Sequence, residues 1–227
     1  YLREEKPLVE IAAYYPQTSI RLYGNRFLEP AQQLRRHMDF DFLSDQMILD
    51  GALRNYKALI FLWGDVTEAP VLEAIRTWVE EGGLLFYPEP IGRLRSVEGD
   101  DSVFRRLFET AQREVGSGWQ ETLYGKGIAY RFRGDDDWLT PYCQQCASIL
   151  SESHRILWIT WEMLRLQAEV PDLYLTALSD GRLLALNFAQ QSVTLPWRNA
   201  SVTLAPTSIG VLDCGRHGLQ PFLPEDM

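Results

Sequence analysis

Residues 58–87, ALIFLWGDVTEAPVLEAIRTWVEEGGLLFY, decide the fold of this chain. Ala58–Trp63 contains no polar residue, as expected for a parallel strand that is covered on both faces. The apolar positions of residues 71–79 recur at helical spacing, and Gly82-Gly83 ends that predicted helix because glycine adopts the left-handed conformation readily. A second apolar run, Leu84–Tyr87, follows at once. Strand, helix and strand connected this closely predict a right-handed crossover, which places both strands in one parallel sheet.

The segments on both sides of this stretch continue the alternation of strands and helices. Three further strands are predicted, at Leu8–Tyr15, Phe40–Leu43 and Gly127–Phe132. Three further helices are predicted, from Glu29 to about Met38, from Ser44 to Leu53, and over Val103–Val115. Thr67 is predicted to cap the helix that follows it. Residues 1–134 are therefore predicted to form an α/β domain with an open, doubly wound, mostly parallel sheet.

The character of the sequence changes after the acidic run Asp135–Asp137. A helix is predicted over Trp138–Ser153, whereas the apolar segment Ile156–Leu166 fits a strand or a helix. An Asp-Gly turn at residues 180–181 predicts a β-hairpin. Its strands and the three that follow are predicted at Leu173–Leu178, Arg182–Phe188, Ser192–Leu195, Ser201–Leu204 and Ile209–Asp213. The chain is thus divided into an α/β domain (1–134), a helical connection (135–170) and a small antiparallel β domain (171–227).

Composition and charge exclude several classes of partner. The 22 Lys and Arg against 31 Asp and Glu give a net charge of −9, without the dense basic face that a nucleic acid needs. No apolar run approaches the length of a membrane span, so no membrane partner is predicted. Gly-rich phosphate loops and the common catalytic motifs do not occur in the sequence, and no cofactor is predicted.

The chain begins with Tyr1, without an initiator Met and without the apolar region of a signal peptide. This suggests either the C-terminal piece of a longer protein or a trimmed chain. A soluble, cytoplasmic location is favoured, although the sequence does not determine the compartment.

Several stretches together resemble a known family. They are YKALIF (56–61), VEEGG (79–83) and GKGIAYRF (125–132), the first two lying within residues 44–90. These stretches are similar to the class I glutamine-amidotransferase-like domain, especially the form that sits behind the catalytic barrel of β-galactosidase-type glycoside hydrolases and is often called a trimerisation domain. Residues 173–195 and 202–212 resemble the small all-β domain that closes many sugar-cleaving enzymes.

The sequence departs from this family where an active amidotransferase domain carries its nucleophile. That Cys belongs on the tight turn after the strand Leu84–Tyr87, but the turn reads Pro88-Glu89-Pro90, and no Cys lies within fifty residues of it. The resemblance therefore implies a degenerate, non-catalytic member that serves assembly as a homo-oligomer. It also implies that the catalytic carboxylates lie on an N-terminal barrel domain that this chain lacks.

The carboxyl ends of the predicted strands form a candidate ligand site, because open α/β sheets bind ligands there. The aromatic and polar residues at this rim are Tyr14, Tyr15, Gln17, Trp63, Asp65, Tyr87 and Glu89. One alternative to the assembly role is a carbohydrate or small-molecule binding module that uses these aromatic side chains. A second is a hydrolase that uses Glu89 and Asp65 as an acid/base pair, which requires the two carboxylates to lie within about 10 Å.

Cys143 and Cys146 form a CxxC motif that we interpret as two ordinary, semi-buried thiols. A redox pair would lie at the start of a helix after a strand, but here the motif falls inside a predicted helix. A zinc site would need two further ligands, and the available ones, His37, His154, Cys214 and His217, are not closely spaced. No metal site is therefore predicted. The tryptophans of Trp158–Trp161 are interpreted as core or interface residues.

Overall fold

The computed structural model describes residues 5–110, 112–116, 118–197 and 200–213. The chain forms two compact units. The sheet unit comprises Glu10–Gln33 and Phe40–Tyr142, and the terminal unit comprises Tyr1–Val9, Leu34–Asp39 and Cys143–Met227. The domain boundaries at residues 134 and 170 stay a prediction, since compactness alone does not show which segments fold independently.

The sheet unit is built on seven strands in the order β2-β1-β3-β5-β9-β8-β7. Their bounds are β1 (Ile11–Tyr15), β2 (Asp41–Ser44), β3 (Ala58–Ile60), β5 (Leu84–Pro88), β7 (Gln112–Glu114), β8 (Trp119–Tyr124) and β9 (Gly127–Phe132), and a separate parallel pair is formed by β4 (Val66–Thr67) and β6 (Arg95–Ser96). The first five strands in this order are parallel to one another. β8 is antiparallel to β9, and β7 is antiparallel to β8. The predicted α/β class with an open, mostly parallel sheet is confirmed.

The helices of the chain are α1 (Gln17–Tyr23), α2 (Leu28–Arg35), α3 (Asp45–Leu49), α4 (Ala69–Glu81), α5 (Ser102–Phe108), α6 (Leu139–Glu152) and α7 (Trp158–Glu169). On one face of the sheet, side chains such as Leu85 and Tyr87 pack in a core with the apolar stripes of α4 and α5. On the other face, Phe86 stacks on Tyr130 with ring centroids 4.9 Å apart. Both faces of the central strands are therefore buried, as their unbroken apolar sequence predicts.

Two of the motifs that carry the family resemblance pack directly against each other. The C-terminal end of α4 leaves carbonyl groups without helical partners, and the N–H groups of Gly83 and Lys126 donate to the carbonyls of Trp78 and Glu80 at 3.0 and 2.8 Å. A Cβ on Gly127 would lie 1.9 Å from the Val79 carbonyl oxygen. The glycines of GKG are therefore required because the β8–β9 turn touches the backbone of α4, whereas Gly83 of VEEGG is required because a Cβ there would meet the Trp78 ring at 2.4 Å.

The terminal unit contains two small antiparallel sheets. Its strands are β10 (Leu173–Ala177), β11 (Arg182–Asn187), β12 (Val193–Trp197), β13 (Ala200–Leu204) and β14 (Ser208–Asp213), paired as β10-β11-β14 and β12-β13. Alternate residues of β10 and β11, such as Leu175 and Leu183, face a core that includes Ile159 and Met163 of α7. The predicted antiparallel sheets at the C-terminal end are confirmed.

The structure contradicts two local predictions and resolves one segment that the sequence left ambiguous. The helix predicted over Val103–Val115 ends at Phe108, where its apolar stripe ends, and Arg113 in β7 instead pairs with Glu121 across the strands. Thr67 lies in β4, and α4 begins after Glu68. The ambiguous segment is helical from Trp158 onward in α7, because Ile159, Met163 and Leu166 recur at helical spacing in the core that they share with β10.

Candidate functional site

The rim at the carboxyl ends of β1, β3 and β5 contains a hydrogen-bonded group around Asp45. The hydroxyl of Tyr14, a fully buried residue, donates to Oδ1 of Asp45 at 2.5 Å, and the Thr18 hydroxyl donates to Oδ2 at 2.8 Å. Burial, with the charge of Asp45, raises the pKa of Tyr14 well above its ordinary value. Tyr14 is therefore a protonated, structural hydroxyl rather than an exposed platform.

Tyr15, Gln17 and Trp63 lie at the same carboxyl ends and are half-buried. The Tyr15 ring meets the ring of Phe27 edge-on, with centroids 5.4 Å apart. These residues retain some accessible surface, so the expected role of Tyr15 and Trp63 in ligand binding stays a prediction.

Tyr87 lies near the end of β5, and the loops that follow β3 and β5 carry Asp65 and Glu89. Tyr87 is fully buried and its hydroxyl donates to the Gly92 carbonyl oxygen at 3.0 Å. Burial, followed by the negative charges of Asp65 and Glu89, raises the pKa of Tyr87 well above its ordinary value. Both negative charges thus act on the Tyr87 hydroxyl, and the separation of within about 10 Å that an acid/base pair of Glu89 and Asp65 requires stays a prediction.

Each of these two carboxylates also faces a guanidinium. Nη2 of Arg95 lies 3.7 Å from Asp65 Oδ2, and Nε of Arg133 lies 3.3 Å from Glu89 Oε2. Both carboxylates therefore have a cationic partner within the rim itself. This arrangement favours an ion-paired, structural rim over an acid/base pair.

Arg131 of β9 is a rim residue that the sequence reasoning missed. Its residue surface is only 6% exposed, and Nη2 donates to Gln120 Oε1 at 2.7 Å. Within the described ranges no carboxylate lies within ion-pairing distance of it, and burial lowers the pKa of its guanidinium. The signal in the sequence is a single cation in the otherwise uncharged strand GIAYRF.

The likeness of this chain to known proteins lies in its fold. No family model matches the sequence, and no curated protein sequence matches it. Solved structures do match: a β-galactosidase from Bacillus circulans sp. alkalophilus (10% identity, TM-score 0.63), one from Rahnella sp. R3 (12%, 0.63) and a family-42 β-galactosidase from G. stearothermophilus (12%, 0.60). The resemblance to β-galactosidase-type proteins is confirmed for the fold.

These matches cover most of this chain but a minor part of the other proteins. They include 92%, 91% and 89% of this chain, in the order given, and 42%, 41% and 40% of the matched chains. The chain therefore spans about two fifths of the β-galactosidase chains that it resembles. At this level of identity the likeness concerns the fold, and the activity printed for those proteins is a matter for proposal.

The CxxC motif lies on α6, where both thiols are buried. Burial raises the pKa of Cys143 to about 12, the opposite of the shift that activates a thiol. Among the described residues no group of three or more His, Cys, Asp or Glu side chains could hold a metal ion. Cys214 and His217, which the sequence offered as further ligands, lie outside the described residues.

The part of the chain that the structure describes contains no helix long and apolar enough to cross a membrane.

A cavity that the sequence did not predict lies in the terminal unit beside α6 and α7.

Proposed function

We propose that this chain is a non-catalytic accessory region of a β-galactosidase-type glycoside hydrolase and that its role is assembly. The observation that carries the proposal is the turn after β5. Pro88-Glu89-Pro90 stands where the resemblance to amidotransferase-like domains places the nucleophile, and Glu89 is exposed and ion-paired with Arg133. A domain that keeps this fold without its nucleophile retains the shape of the scaffold, which is what assembly requires.

The fold of the solved β-galactosidases supports this proposal. Their chains are more than twice as long as this one, so a catalytic domain elsewhere would supply the paired carboxylates that glycoside hydrolysis needs. In this proposal the chain acts beside such a domain and brings copies of the protein together.

An exposed apolar surface at the edge of the sheet is suited to that role. This edge patch consists of Leu22, Tyr23, Leu28 and Phe42, each about half exposed or more. Phe42 lies on β2, the terminal strand in the sheet order, and its ring contacts that of Phe27 at 5.3 Å between centroids. Exposed apolar side chains beside an edge strand are typical of an interface.

The oligomeric state tests the proposal directly. Sedimentation velocity of the whole chain at micromolar concentration is expected to show an oligomer, and Leu28→Glu with Phe42→Glu is expected to convert it to monomers. Leu123→Glu serves as the matched control, because Leu123 is also exposed (68% against 63% for Leu28) but lies outside the edge patch. A wild-type monomer, or an oligomer that survives the paired substitution, would overturn the assembly role.

The hydrolase alternative is tested in the same preparation. The chain alone is expected to leave p-nitrophenyl β-galactoside and β-glucoside uncleaved. Cleavage by the wild-type chain that is lost in both Glu89→Gln and Asp65→Asn would establish the acid/base alternative and refute the non-catalytic role.

A further inference from the structure

A cleft of about 700 Å³ lies in the terminal unit, between the facing sides of two helices. Residues 144, 147, 148 and 151 of α6 and residues 161, 164, 165 and 168 of α7 line it, and both sets recur at the three- and four-residue spacing of one helix face. Residues 36–37 and 171–172 complete the lining. The volume lies in the range of small-molecule binding sites, which is about 300–1,000 Å³.

The cleft has unused hydrogen-bonding capacity. Gln167, which lines it, is only 4% exposed, and its Nε2 donates to the Leu173 carbonyl oxygen at 3.3 Å. Its Oε1 is buried and accepts no hydrogen bond from any described residue. A buried acceptor without a donor is costly, and since this oxygen has almost no accessible surface, a shift of the Gln167 side chain toward the cleft would let a ligand hydroxyl or amide proton satisfy it.

The charges around the cleft are balanced and held in place. The lining carries two cations, Arg36 and Arg165, and two anions, Glu169 and Asp172. Arg165 Nη1 bonds Glu169 at 3.0 Å, and its Nη2 bonds Glu162, which lies outside the lining, at 2.7 Å. Burial and the neighbouring Arg36 lower the pKa of His37, so at neutral pH its imidazole is uncharged, with one donor and one acceptor nitrogen. An ionic ligand gains little here, and a neutral one with many hydrogen-bonding groups gains most.

The half-buried indole of Trp161 adds an aromatic surface to this polar lining. Because the cleft combines an aromatic ring, fixed donors and acceptors, and no net charge, we propose that it binds a neutral carbohydrate of one to three rings. The sugar hydroxyls would bond Gln144 and Gln167, and its C–H face would lie against Trp161. This site uses none of the residues that carry the assembly role, so either proposal can fail without the other.

Saturation-transfer NMR and calorimetry on the whole chain test the site, with lactose, cellobiose and maltotriose as neutral probes and sulfate as an ionic one. Saturable binding of at least one neutral probe is expected. Gln144→Ala is expected to raise its Kd about two- to tenfold, the value of one lost hydrogen bond, and Trp161→Ala to abolish binding. Gln32→Ala is the matched control, since Gln32 is also exposed on a helix but lies outside the cleft.

Gln144 is exposed, so its substitution tests the site even if the Trp161 variant fails to fold. The proposal is overturned if none of the three sugars binds saturably at millimolar concentration. It is also overturned if sulfate alone binds, or if Gln144→Ala and Gln32→Ala bind a sugar as tightly as the wild-type chain does.

Discussion

Substitution of Gly127 by alanine is expected to separate β9 from the end of α4. The added Cβ would lie 1.9 Å from the Val79 carbonyl oxygen and 2.4 Å from the Gly83 carbonyl oxygen. Both obstacles are backbone atoms, so no side chain can rotate away, and the start of the strand has to move by more than 1 Å to reach ordinary contact. That movement endangers the bonds from Lys126 N–H to Glu80 and from Ile128 N–H to Gly83.

The magnitude follows from these two effects. Overpacking in a filled interior costs about 1–3 kcal/mol, and each of the two hydrogen bonds contributes about 0.5–1.5 kcal/mol. The free energy of unfolding should therefore fall by about 2–6 kcal/mol, and the Tm by about 5–20 °C for a chain of this length. Urea denaturation followed by circular dichroism measures the first quantity and thermal denaturation the second.

Gly51→Ala is the control for this experiment. Gly51 has a φ of 81°, and no atom lies within 4 Å of the place that a Cβ would take, so alanine there costs only the left-handed conformation, about 1–2 kcal/mol. If Gly127→Ala is no more destabilising than Gly51→Ala, the contact of the GKG segment with the backbone of α4 is not the reason for Gly127, and the packing argument is wrong.

The titratable groups give two further predictions. Iodoacetamide at pH 8 should leave Cys143 unmodified in the folded chain and modify it in urea, because a pKa of about 12 leaves about one thiol in ten thousand ionised. Peptide mass spectrometry measures the modification. Labelling of the folded chain at the rate seen in urea would contradict this prediction. Burial raises the pKa of Tyr14, Tyr56 and Tyr87 in the folded state, that of Tyr56 to about 12, so the unfolded chain loses these protons first. Their contribution to the free energy of unfolding is therefore complete below pH 10 and declines as the pH rises from about 10 to 12. The midpoint of urea denaturation measures this decline. A midpoint that does not change over that interval would refute the pKa shifts of these hydroxyls.

The sequence predicts the central sheet well because its signals there are local. The apolar run that begins at Ala58, the glycine pair after α4 and the strand Gly127–Phe132 each determine an element through spacing within a few residues. The C-terminal hairpin is likewise determined by its Asp-Gly turn, and the structure pairs Ala177 with Leu183 across it.

The remaining features depend on contacts between distant residues. β7 has the polar sequence Gln-Arg-Glu, and it is a strand because Glu121, eight residues beyond Arg113, lies opposite it. Helix α1 begins directly after Pro16, and Ser19 is buried because it bonds the backbone of Val66. The cleft beside α6 and α7 requires two helix faces to lie near each other, and the sequence of either helix does not show which face of the other lies opposite it.

The two candidate sites differ in how much hydrogen-bonding capacity they have left for a ligand. At the rim of the sheet the polar groups bond one another: Tyr14 bonds Asp45, Tyr87 bonds the Gly92 carbonyl, and Glu89 pairs with Arg133. A ligand at the rim would have to replace these interactions before gaining any of its own. Gln167 beside the cleft has a buried acceptor that no described residue bonds, so a side-chain shift that brings it to a ligand hydroxyl gives a hydrogen bond to an oxygen that has none. The position at which this class of fold usually binds its ligands is thus the weaker candidate in this chain, because satisfied polar groups contribute structure rather than recognition.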